Sequence, residues 1–160
     1  MVKIILICGI ISIFLVHSVK STVVNTCDNG ALLPNTTMYA GTLLCNQTPC
    51  TCIPGCPFTI YLEFLSPKYL ENMKPNILAT YAGVTIPYPL NQDDACDGIE
   101  NTQCPIVKNE HIKYKISMDI LNIFPEVTVA LEFTIKDQDT GDAVICVLFD
   151  IDVRKIDCPS

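Results

Sequence analysis

The chain has 160 residues, of which 49% are hydrophobic, and a formal net charge of −7. That length suits one domain with its own core. A negative surface repels nucleic acid and anionic membranes, which argues against both as partners.

At the N-terminus, Lys3 precedes an apolar run from Ile4 to Val16, and small and polar residues follow. A basic start, an apolar middle and small residues at the cut mark a secretory signal peptide. The run is about 13 residues, short of the roughly 20 that a membrane-spanning helix needs. Cleavage after Ser18 or Ser21 fits, because each has a valine two residues before it. The boundary is placed after Ser21, giving a leader over 1–21 and one domain over 22–160. Losing Lys3 and Lys20 takes the charge from −7 to −9. One histidine, His111, then survives, which disfavours His-based metal sites and Ser-His-Asp chemistry.

Ten cysteines in a secreted chain read as a disulfide framework. Cys8 leaves with the leader, and the nine that stay are an odd number. At least one thiol is therefore free or paired between molecules. A zinc site among Cys45, Cys50, Cys52 and Cys56 is the competing reading, and an oxidising compartment weighs against it.

Cys27 opens the domain, followed by the turn Asp28-Asn29-Gly30. Asn35-Thr36-Thr37 and Asn46-Gln47-Thr48 are glycosylation acceptors, which places Asn35 and Asn46 on the surface. Cys50 to Cys56, with Pro54-Gly55, reads as a turn. Phe58 to Phe64 then alternates, with Phe58, Ile60, Leu62 and Phe64 on one face of a half-buried strand. Ser66 to Pro75 reads as a loop, and Ile77 to Ile86 as one strand.

That strand runs into Pro87-Tyr88-Pro89. Proline cannot donate to a β-ladder, so the strand must become an edge or a loop there. Tyr88 is then held on stiff backbone at the lip of whatever the sheet encloses. Cys96 and Cys104 bracket a polar loop just downstream. Together they are expected to form a rigid rim at the entrance to an apolar cavity.

His111 to Ile120 alternates again, with Ile112, Tyr114, Ile116, Met118 and Ile120 on one face. Phe124-Pro125 breaks the chain. Val127, Val129, Leu131, Phe133 and Ile135 share the next inward face. Asp137 to Asp142 is a hairpin turn. The last strand turns Ile145, Val147, Phe149, Ile151 and Val153 inward and Cys146 outward. Six or seven such strands predict an all-β, immunoglobulin-like antiparallel sandwich of two sheets, each with one dry face.

The order Cys27, Cys45-x4-Cys50, Pro54-Gly55, Pro87-Tyr88-Pro89, Cys96…Cys104-Pro105-Ile106, Phe124-Pro125 and Cys146 resembles the MD-2-related lipid-recognition (ML) family, in its Niemann-Pick type C2-like branch. The resemblance spans about residues 24 to 154. It implies sheets splayed apart to hold a lipid between them. It implies the disulfides Cys27–Cys146, Cys45–Cys50 and Cys96–Cys104. It also implies that Tyr88, Ile120 and Phe124 gate the lipid site, with Phe133, Val147 and Phe149 as deeper wall positions. Cys52, Cys56 and Cys158 stand outside that pattern, and Cys56–Cys158 is the preferred fourth bridge because a tight turn follows Cys52 at once.

The expected function is a secreted protein that binds and transfers a sterol or similar lipid, without chemistry, cofactor or metal. The alternatives are a carrier of fatty acid, phospholipid or small apolar signal molecules, or a lipid-sensing immune co-receptor. A membrane sterol receptor or an acceptor membrane is the candidate partner on delivery. The chain is read as a monomer, acting outside the cell or in the endolysosomal lumen. Against an enzyme, Asp93, Asp94, Asp119 and Asp150 scatter over polar faces and turns, with no nucleophile–base pair.

Overall fold

The computed structural model describes residues 21–156 and 158. The apolar leader segment lies outside the described residues up to Lys20. Two sheets face each other. One holds β1 (Asn35–Ala40), β2 (Leu43–Cys45), β4 (Pro57–Leu65) and β7 (His111–Asp119), in the order β2-β1-β4-β7. The other holds β3 (Cys50–Cys52), β5 (Met73–Tyr81), β6 (Val84–Tyr88), β8 (Thr128–Asp137) and β9 (Ala143–Val153), in the order β3-β9-β8-β5-β6. Among the described residues, no helix is long and apolar enough to cross a membrane.

Period-two alternation sets the core. Phe58, Ile60, Leu62 and Phe64 of β4 are buried, as are Ile112, Tyr114, Ile116 and Met118 of β7. They face Leu131, Phe133 and Ile135 of β8 and Ile145, Val147, Phe149 and Ile151 of β9. Each such side chain contributes about 1.5–3 kcal/mol on full burial. Ring pairs close the two sheets onto each other: Phe58–Phe149 and Tyr114–Phe133, each with centroids 6.0 Å apart.

Several strands depart from the sequence reading. Ile77 to Ile86 is two strands rather than one. Ala82 and Gly83 both have positive φ, 48° and 80°, and turn the chain between the paired residues Tyr81 and Val84. Both central residues of such a two-residue hairpin must be left-handed, and alanine does not advertise that. The loop expected up to Pro75 ends earlier, since β5 starts at Met73. Pro75 is tolerated because β6 pairs only from Ile77 onward, so its missing N–H leaves no bond unmade.

Cys50–Cys52 is a strand rather than part of a turn, and it pairs with β9 in parallel, whereas the other pairs of named strands are antiparallel. β1 carried no clear signal because its inward positions are Thr36, Met38 and Ala40. Thr36 is satisfied there by donating to the Pro34 carbonyl at 3.1 Å.

β9 is buried on both faces from Val144 to Val147. The N-terminal segment pairs along it at Asn25–Leu148 and Leu32–Ile145, and Cys27 bonds Cys146 there. The inward faces carry one charge at their end: Asp137 is buried and ion-paired with Lys68.

Candidate lipid-binding cleft

The sheets part at one end. Ala79 of β5, Ile86 and Tyr88 of β6, Met118 of β7, Ile120, Phe124 and Val127 of the following loop, Val129 and Leu131 of β8, and Ile151 and Val153 of β9 line a cleft. It encloses a narrow cavity of about 50 Å³, which opens to solvent at the mouth. The lining holds no charged side chain. The one polar side-chain group is the Tyr88 hydroxyl, which donates to the Asp119 carbonyl at 2.8 Å. Burial pushes the Tyr88 phenol above its ordinary range, and the nearby Asp119 carboxylate adds to the effect.

Tyr88 reaches the mouth because β6 is the sheet edge, where Pro87 leaves no ladder bond unmade. Phe124 arrives from the β7–β8 loop, whose turn is closed by the Phe124 N–H donating to the Leu121 carbonyl at 3.1 Å. It also lines an adjoining apolar groove, together with Tyr81, Val84, Ile86, Pro125 and Val127, that is largely open to solvent. Ile123, 82% exposed, stands beside this mouth.

Of the residues singled out in the sequence, Tyr88, Ile120 and Phe124 come together on the cleft wall. Phe133, Val147 and Phe149 do not line it. They sit deeper, where Phe133 meets Tyr114 and Phe149 meets Phe58 in the closed part of the core. The Cys96–Cys104 loop is not part of the rim either. Its Ala95–Gly98 helical turn and Ile99 cover the free edge of β7, with the Glu100 N–H donating to the Lys113 carbonyl at 2.8 Å. An uncovered edge would invite pairing with other chains.

Residue order marks Met118, Val127, Val129, Leu131, Ile151 and Val153 only as inward positions and gives no signal for Ala79. Alternation gives the face of a strand, not whether the opposite sheet meets it.

Among the described residues four disulfides are present: Cys27–Cys146, Cys45–Cys50, Cys56–Cys158 and Cys96–Cys104. Among the described residues Cys52 is the free cysteine, and burial, with the nearby Asp152, pushes its thiol up to about 12. Zinc has no thiolate set to bind, since Cys45, Cys50 and Cys56 are all oxidised. Asn35 and Asn46 are exposed.

Two facing sheets that open at one end onto an apolar interior define a cleft-bearing β-sandwich. The family model described as ML domain matches residues 21–153, and the chain belongs to that family. It is 28% identical over 109 residues to the NPC intracellular cholesterol transporter 2 of Danio rerio, covering 68% of this chain and 71% of that protein. It is 29% identical over 105 residues to the NPC intracellular cholesterol transporter 2 homolog a of Drosophila melanogaster, covering 64% and 70%. The crystal structure of a Niemann-Pick type C2 protein from the Japanese carpenter ant superposes with a TM-score of 0.69 at 17% identity. That match covers 82% of this chain and 99% of the ant protein, and it speaks for the fold.

Proposed function

We propose that this chain binds a sterol or similar lipid in the cleft between its sheets and carries it through water. The observation that carries the reading is the cleft itself, apolar on every side and roofed by Tyr88 and Phe124. An apolar ligand gains about 25 cal/mol for each Å² removed from water, and the walls of the narrow cavity part further as the ligand enters. Tyr88, Ile120 and Phe124 are the contact residues, backed by Phe133, Val147 and Phe149 behind the wall. The cholesterol transporters among its relatives support a sterol as ligand.

The protein acts as a carrier rather than an enzyme. Asp93, Asp94, Asp119 and Asp150 are exposed, and none lines the cleft. It works as a secreted monomer, outside the cell or in the endolysosomal lumen, with a leader removed after Ser21. Asn35 and Asn46 carry glycans. Delivery is to a membrane sterol receptor or an acceptor membrane.

A second ligand class, an extended acyl chain, is favoured by one observation. The outer groove continues the cleft past Phe124 along the β5–β6 hairpin, which suits a long flexible chain. Lipid extracted from the natively purified protein and identified by mass spectrometry separates the two. Protein that carries no lipid and fails to bind dehydroergosterol or oleate overturns the reading.

A further inference from the structure

The mouth loop, 121–127, is held at its two ends by different pieces of the chain. At its entry, the Gly55 N–H donates to the Ile120 carbonyl at 2.9 Å. At its exit, the Lys155 N–H donates to the Glu126 carboxylate at 2.8 Å. The Val153 N–H donates to the Val127 carbonyl, also at 2.8 Å. Gly55 adjoins Cys56, Lys155 lies just before Cys158, and these two cysteines are bonded. One covalent link therefore joins both anchors of the loop that carries Phe124.

Two further observations fix the geometry around that link. Gly55 has a φ of 84°, the left-handed region that favours glycine, and the Asn122 side chain of the mouth loop lies within ordinary contact distance of it. The Arg154 N–H donates to the Cys52 carbonyl at 2.9 Å, which lays the C-terminal tail alongside β3. Glu126 is exposed, so its carboxylate has no packing duty that would explain its position. Its bond to Lys155 is charge-assisted and worth more than a neutral one.

We propose that the Cys56–Cys158 disulfide and Glu126 are positioning groups for the cleft mouth. They hold Ile120 and Phe124 in place and thereby set how fast the ligand leaves. The ligand half of this inference rests on the lipid-binding reading above, whereas the backbone half does not.

The test uses the full secreted chain and three variants: Cys56→Ser with Cys158→Ser, Glu126→Ala, and Glu126→Gln. Amide hydrogen exchange is read at Gly55, Phe124 and Lys155, with Ile60 of β4 as the internal reference. Release of dehydroergosterol into phosphatidylcholine vesicles is measured in parallel. The Phe124 amide is expected to exchange about tenfold faster in the double-cysteine variant and in Glu126→Ala, as for the loss of one charged hydrogen bond. Ile60 exchange stays constant, and dehydroergosterol release accelerates in step. Glu126→Gln keeps an acceptor oxygen but not the charge, and its rates fall between those of the parent and Glu126→Ala.

Parent exchange at Phe124 in both Glu126→Ala and the double-cysteine variant overturns the proposal. Faster exchange with unchanged release overturns its ligand half. Should Ile60 exchange collapse in the cysteine variant, that variant has lost its fold and Glu126→Ala alone decides. Should the parent bind no dehydroergosterol and no oleate, the lipid-binding reading falls, and the exchange data still decide whether the loop is held this way.

Discussion

The rings of Tyr88 and Phe124 lie stacked across the mouth of the cleft, with 5.9 Å between centroids and 29° between planes. One comes from an edge strand and the other from a loop, so their contact joins those two elements at the mouth. An aromatic pair is worth about 0.5–1.5 kcal/mol beyond its buried area. Tyr88→Ala and Phe124→Ala are each expected to weaken dehydroergosterol binding by roughly three- to tenfold, with unchanged circular dichroism. Tyr88→Phe keeps the ring and loses only the bond to Asp119, so it should bind within about twofold of the parent. Fluorescence titration of the three variants checks this.

Ile120 is 2% exposed and lines the cleft wall. An aspartate there puts a carboxylate against dry surface, where an unpaired charge is costly. Beside an empty cleft the charge can draw in water, so Ile120→Asp should fold, be secreted and carry no lipid. In a closed core the same change would unfold the protein. Folded protein with normal lipid binding would sink the assignment of Ile120 to the ligand site.

Phe149 offers the contrast. It stacks on Phe58 across the closed part of the sandwich and does not line the cleft. Phe149→Ala should cost about 3–5 kcal/mol of stability through the cavity left behind. Phe124→Ala, at the half-open mouth, should cost far less. Urea denaturation of the two variants measures the difference, and equal losses would place Phe124 in the core.

Cys52 makes stability depend on alkaline pH. Its thiol titrates at about 12 in the folded chain against 9.0 unfolded, because burial opposes the thiolate. A raised value means that the native state holds its proton longer. The contribution is complete below pH 9 and is lost as pH rises towards 12. Thermal melts from pH 8 to 11 should show a decline that Cys52→Ala removes. A thiol reagent should find Cys52 unreactive in the native protein and reactive after denaturation without reduction.

Asp137 does the reverse at acid pH. The hydrogen bond from Lys68 comes first among the effects that hold its carboxyl below the ordinary value of 3.8. A lowered value gives stability that is present above the unfolded value and lost as pH falls through the folded one. Asp137→Asn should flatten the acid limb of the stability curve below pH 4, and an unchanged limb would show that the Lys68 pair contributes nothing.

Much of this protein was legible from residue order alone. Alternation in Phe58–Phe64 and His111–Ile120 specified two buried faces, because side-chain direction in a strand follows period two whatever the neighbours are. The proline pair around Tyr88 announced an edge, since a missing N–H is a local property of the chain. What residue order could not supply was which inward positions meet across the sandwich. Ile120 and Phe149 look alike in sequence, yet one lines a cleft and the other stacks on Phe58. That difference depends on how far apart two sheets stand at each level, and no single strand carries that distance. The β3 strand and the double anchoring of the mouth loop through Cys56 and Cys158 likewise arise from long-range pairing. Their short segments have no period of their own, so only the assembled tertiary structure decided them.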